Sequence, residues 1–303
     1  MQANGTSKEP KFSGKEWLDM NKTLAEKKDI LRNFGAEPSD MESLLKYTDR
    51  VFGHKSDVCK KDDEFIKRWD AVFATSETNG AAVAINKHIA NSEFQISFDS
   101  PESVSIELFS SIAGTIPVIK TNNTDDFESI INNVVFKGKP NPHIKNVGAH
   151  FAFGVTNRFL VLSGKRYSNL PASYVGIDEN EWLDKSMVIR RYHEIAHYYT
   201  KRFYNSARNN LHDELIADFY GFWKAFSKFD ADVFQKCLAQ GRMATYTDKL
   251  STSAAKIVKK LATAGSEWIE KWTASDEFTD LDEARRIDYL CKMELLDFTE
   301  QRS

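Results

Sequence analysis

Apolar positions along the chain follow one spacing, switch to another and return. From residue 15 to about 90 they recur at helical intervals: Trp17, Met20 and Leu24, then Met41, Leu44 and Leu45, then Phe65, Trp69, Val72 and Phe73. Between 94 and about 163 they fall into short alternating or β-branched runs at 95–98, 104–108, 116–119, 134–136 and 159–162. Those runs predict strands, separated by turn-rich segments such as Lys139-Pro140-Asn141-Pro142, with one helix over 125–133. Helical spacing resumes at about 181, where Trp182, Val188, Tyr192, Ile195, Tyr199 and Phe203 form one apolar stripe. Asp178 and Asn180 suit its N-terminus, and Asn205-Ser206 its end. A second helix is expected from about Ala207, with Leu215, Phe219, Phe222 and Phe226 on its core face, then helices over 252–273 and 280–296.

This order predicts an α+β protein. The expected division is a disordered tail at 1–13, an N-terminal helical plus strand-rich lobe at 14–180, and a helical lobe at 181–303. With 41% apolar and 12% aromatic residues in 303, a sizeable core is assured. The formal charge of −3 gives no general case for nucleic acid or an anionic membrane as partner. Cys59, Cys237 and Cys291 are odd in number and widely spaced, which fits a reducing compartment rather than a disulfide framework. The start of the chain lacks an apolar signal core, and no apolar run approaches the ~20 residues of a membrane span. A cytoplasmic location is the expectation. We find no internal repeat, phosphate-binding glycine loop or G-x-S-x-G elbow.

The chemistry concentrates on the 181–203 stripe. His193 and His197 are four apart, so on a helix they stand one above the other. Two imidazoles so placed can share one tetrahedral Zn2+, and Glu194, about 100° round the helix, can reach a metal-bound water without being a ligand. If the next helix packs antiparallel, Glu214 comes level with His197 as third ligand and leaves a fourth position for water. Asp218, one turn further, can accept a hydrogen bond from the far nitrogen of a ligand histidine.

His193-Glu194-x-x-His197 followed by Asp213-Glu214-x-x-Ala217-Asp218 resembles the gluzincins, the thermolysin-like clan of zinc metallopeptidases, whose second motif reads Asn-Glu-x-x-Ser-Asp. The resemblance covers about 26 residues. It implies a zincin-like fold, one Zn2+ on His193, His197 and Glu214, Glu194 as general base and Asp218 as histidine orienter. Asp213 stands where the family has Asn and Ala217 where it has Ser, both outer partners of the metal site. No histidine follows His212, so the downstream histidine that thermolysin-like enzymes set against the oxyanion has no counterpart. Tyr246 and Arg242, on an expected loop, would then supply that catalytic donor; ordinary surface or core contacts are the other reading. Arg190 reads either as a helix ion pair with Glu194 or as a clamp on a substrate carboxylate. The loop 164–175, with Asn169, is expected to line the substrate groove, and the strand before it offers an edge to an extended peptide. The reaction class that follows is hydrolysis of a peptide or amide bond. A zinc amidohydrolase acting on a small modified compound, and a non-catalytic helical interaction protein with a structural metal, stand as alternatives.

Overall fold

A computed structural model describes residues 22–56, 63–91, 93–141, 144–153, 158–206 and 210–300; the expected tail at 1–13 and the Trp17 and Met20 positions lie outside them. The protein is α+β. Near the N-terminus lie α1 (Leu24–Asn33) and α2 (Met41–Thr48), then α3 (Asp63–Lys67), α4 (Asp70–Asn79) and α5 (Ala81–His88). A four-stranded mixed sheet follows, with β1 (Ser105–Ser111), β2 (Gly114–Thr121), β3 (Ala149–Phe153) and β4 (Arg158–Ser163) in the order β1-β2-β4-β3. β2 and β4 run parallel, while β1 and β3 are antiparallel edges.

The strand period of two sorts the sheet's side chains between two cores. Val118, Leu160 and Leu162 enter one cluster, and Ile119 and Val161 enter the other. The second cluster is closed by α3, α4, α5 and α6 (Thr124–Ile130). Two expected strands are absent here. Segment 95–98 is irregular because the Asn86 carboxamide takes both ladder positions of Ile96, donating to its carbonyl at 2.9 Å and accepting from its N–H at 2.8 Å. The β-branched run 134–136 belongs to the helix: α6 continues into a π-helical turn, Ile131–Val135, so burial overrides strand propensity.

α7 (Glu179–Tyr204) crosses the other face of the sheet. Asp178 caps it, accepting from the N–H groups of Asn180 and Glu181, and Asn205 ends it in the left-handed region. α8 (Leu211–Phe226) starts later than about Ala207, capped by Asn210, whose side chain accepts from His212 N–H at 2.8 Å. The two helices approach closely at Gly221, where a Cβ would lie 2.7 Å from the Ile189 carbonyl oxygen. α9 (Ala231–Ala239), α10 (Arg242–Thr247), α11 (Thr252–Thr273), α12 (Asp276–Thr279) and α13 (Glu283–Lys292) complete the helical layer. α11 has its expected bounds. The single helix expected over 280–296 is instead α13 and a 3-10 turn, Leu295–Thr299, separated by extended Met293 and a Glu294/Asp297 capping pair.

The cores do not divide at residue 180. Leu31, Leu44 and Phe52 belong to the same cluster as α8, α11 and α13. Ion pairs tie the two ends of the chain, Lys27 to Glu294 at 2.6 Å and Lys55 to Asp288 at 2.6 Å. Hydrophobic contact, not sequence order, sets the partition. Among the described residues no helix is long and apolar enough to cross a membrane.

Candidate metal centre

α7 turns two imidazoles toward α8, with His193 Nε2 and His197 Nε2 3.2 Å apart. Glu214, in the first turn of α8, places Oε2 3.5 Å from His193 Nε2 and Oε1 3.6 Å from His197 Nε2. A tetrahedral ion with spokes of ~2.0–2.1 Å needs its ligand atoms about 3.3 Å apart; each separation is near that value, with Glu214 meeting the two rings through different oxygens. His193, His197 and Glu214 thus form a group that could hold a metal ion. Because α8 begins at Leu211, Glu214 meets His197 from only the fourth helical position.

Each histidine has a carboxylate behind it. Asp218 Oδ1 lies 2.8 Å from His193 Nδ1. A carboxylate only accepts, so Nδ1 carries the proton and Nε2 presents its lone pair to the centre. Asp213 stands 3.4 Å from His197 Nδ1, an ion-pair separation behind the second ring. Asp213, Glu214, Asp218 and Glu194 are all at least nine-tenths buried. Arg242 is the cation set among them, with Nη1 2.9 Å from Asp218 Oδ2 and Nη2 3.1 Å from Glu214 Oε2. Four carboxylates against this guanidinium and that of the buried Arg190, which also lines the site, leave a negative excess. Burial alone would lower the His197 pKa, yet Asp213, Glu214 and Glu194 outweigh it and hold it up to about 10. That is the response of a site short of positive charge, which a divalent ion would supply.

The structure brings together a wider set than the motif. Tyr167, from the loop after β4, donates to Asp218 and lies 3.1 Å from His193 Nδ1. Burial, helped by Asp218 and opposed by Arg242, raises its phenol well above its ordinary value, so it stays a donor. Although burial would raise Asp218, Arg242 and His193 hold its carboxyl well below the usual range. Tyr167 carries no spacing signal, because a loop is set onto a helix by tertiary contacts alone. Ser168 and Asn169 both adopt positive φ, near 50° and 56°, and Asn169 is exposed at the cleft wall as expected.

Two sequence-based expectations need correction. Arg242 and Tyr246 lie on a helix, α10, rather than a loop, with Gly241 at φ 98° turning the chain into it. Both line the cleft and are hydrogen-bonded there: Tyr246 donates to Glu214 Oε2 at 2.9 Å, and Arg242 Nε donates to the Tyr246 hydroxyl at 3.0 Å. Arg190 does not form the expected ion pair with Glu194. Its buried guanidinium donates to the carbonyls of Ser163, at 3.1 Å, Lys165, and Arg166, at 2.5 Å, fixing the loop that carries Tyr167. His150 shares its sheet face with Val161, and His212 is fully buried against the Leu290 carbonyl at 3.0 Å.

A cleft of about 780 Å3 opens beside the cluster, lined by His193, Glu194, Glu214 and Asn169 together with Gly148 and Ala149 at the start of β3. Fold and site define an α+β protein with a buried two-histidine, one-glutamate centre at the wall of that cleft. Residues 88–158 and 154–302 match DUF7005, a family of unknown function, and the chain belongs to it. No curated protein and no solved structure matches the chain.

Proposed function

We propose that this protein is a zinc-dependent hydrolase of gluzincin type, a metallopeptidase cleaving peptide or amide bonds. The observation that carries the reading is the convergence of His193, His197 and Glu214, one ligand atom from each lying within 4.8 Å of the others, beside a cleft that Glu194 also lines. The mixed sheet supports it, with its antiparallel edge β3 flanking the same cleft. Backbone groups on such an edge pair with an extended chain. His193, His197 and Glu214 would hold the ion. Zinc there would polarise a carbonyl and bring the pKa of a bound water from 15.7 to about 7. Glu194 sits one residue from a ligand and within the cleft, so its carboxylate takes the proton of the attacking water and passes it to the leaving nitrogen. Asp218 holds the His193 ring in the tautomer that presents Nε2, and Asp213 sets a negative charge behind His197. Arg190, through three carbonyls, keeps the Tyr167–Asn169 wall in place.

Protein purified without chelators is expected to contain one zinc per chain. Glu194→Gln should retain that zinc and lose hydrolysis of a mixed peptide library by about 10²–10⁴-fold, the usual contribution of a general base. An empty centre, or a variant that cleaves at the wild-type rate, would overturn the reading. Cleavage of small amides with peptides left intact would keep the centre and the base and replace the substrate class.

A further inference from the structure

We infer that Tyr246 and Arg242 form a clamp that withholds one oxygen of Glu214, so that this carboxylate binds its ion through the other oxygen only. The inference rests on the metal reading above and goes beyond it by assigning the denticity of one ligand. Both donors converge on one atom: the Tyr246 hydroxyl is 2.9 Å, and Arg242 Nη2 3.1 Å, from Glu214 Oε2. The same guanidinium donates through Nε to the Tyr246 hydroxyl at 3.0 Å, which directs the phenolic proton onward to Glu214. The three groups close a ring. The i, i+4 spacing of Arg242 and Tyr246 puts them on one face of α10. From the other side, Tyr47 on α2 donates to the Tyr246 carbonyl at 3.2 Å and holds the helix against α8.

The chemical consequence follows from coordination number. A carboxylate can chelate through both oxygens, and one that did so would fill the position a hydrolytic ion keeps for water. Hydrogen bonds to an ionised acceptor are roughly twice as strong as neutral ones, and Oε2 receives two of them in a buried setting. Oε1, 3.6 Å from His197 Nε2, is the atom left for the ion. Tyr246 and Arg242 are therefore positioning residues: they reach the ion only through Glu214.

Cobalt(II) substitution in the full-length protein tests this, because visible d–d absorption weakens as coordination rises above four. Wild type should bind one Co2+ with intense absorption. Tyr246→Phe should bind it about 10–100-fold more weakly, the range usual for losing an outer partner of a ligand, and at saturation with weakened absorption. Arg242→Lys, which keeps the charge and loses the fork, should shift the spectrum the same way. Far-ultraviolet circular dichroism identifies any variant that has lost its fold; either substitution alone decides the case. If wild type binds neither Co2+ nor Zn2+, the metal reading falls and takes the clamp with it. If wild type binds and a folded variant at saturation keeps the wild-type spectrum, the clamp alone falls, even where affinity drops.

Discussion

On β2, Val118 points into the cluster around α7, while its neighbour Ile119 points into the cluster under α3 to α6. The far core is closed by Phe127, Ile130, Ile131 and Val161, each at most 2% exposed. The near core is as dry, yet it encloses His193, Asp218, Arg190 and the carboxylates of Asp213 and Glu214. Burying charge is costly unless every partner is present. The apolar side chains of the far face thus depend on volume, residue by residue, whereas the near cluster depends on completeness: any missing member leaves the others buried and unpaired.

That contrast can be broken in three ways. The largest effect is expected from Asp218→Ala, which removes the acceptor for His193, Tyr167 and Arg242 together. Breaking a buried pair on one side costs about 3–5 kcal/mol, to be read from urea unfolding. A loss below 1 kcal/mol would mean the network is dispensable and the two faces alike. Next is the ion itself. Zinc at a hundredfold its Kd should raise unfolding stability by about 2.7 kcal/mol, with no gain in His197→Ala. An equal gain in that variant would place binding elsewhere. The smallest is Ile119→Val, a loss of about 0.5–1.5 kcal/mol with zinc affinity unchanged, since distant sites add. A shift in zinc affinity there would show that the faces are coupled through the sheet.

What could be read from the sequence was what depends on neighbours within a turn or two. His193 and His197, Glu214 and Asp218, the Asp178 cap and the bounds of α11 all follow from helical period and capping chemistry. Arg190 shows the limit of the same rule. Its spacing to Glu194 is that of a helix ion pair, but the exit of β4 passes over it and offers three carbonyls instead. The run 134–136 has strand composition and is helical, because the far core buries it against α6. Tyr167 and Tyr47 had no local signal, as nothing in their neighbourhood specifies which helix they will meet. Tyr246 was found as a residue but expected on a loop, whereas α10 carries it and sets its hydroxyl on Glu214, a contact no local spacing specifies.

Tyr47 also accepts a hydrogen bond from Leu211 N–H at 3.2 Å, so one phenol joins α2 to the start of α8 and to α10. These partners lie 164 and 199 residues away along the chain. Closing spans of that length is slow and comes late in folding. A polypeptide emerging from the ribosome would therefore carry both histidines long before it possessed a finished coordination sphere, and tight metal capture would mark completion of the whole fold rather than of one helix pair.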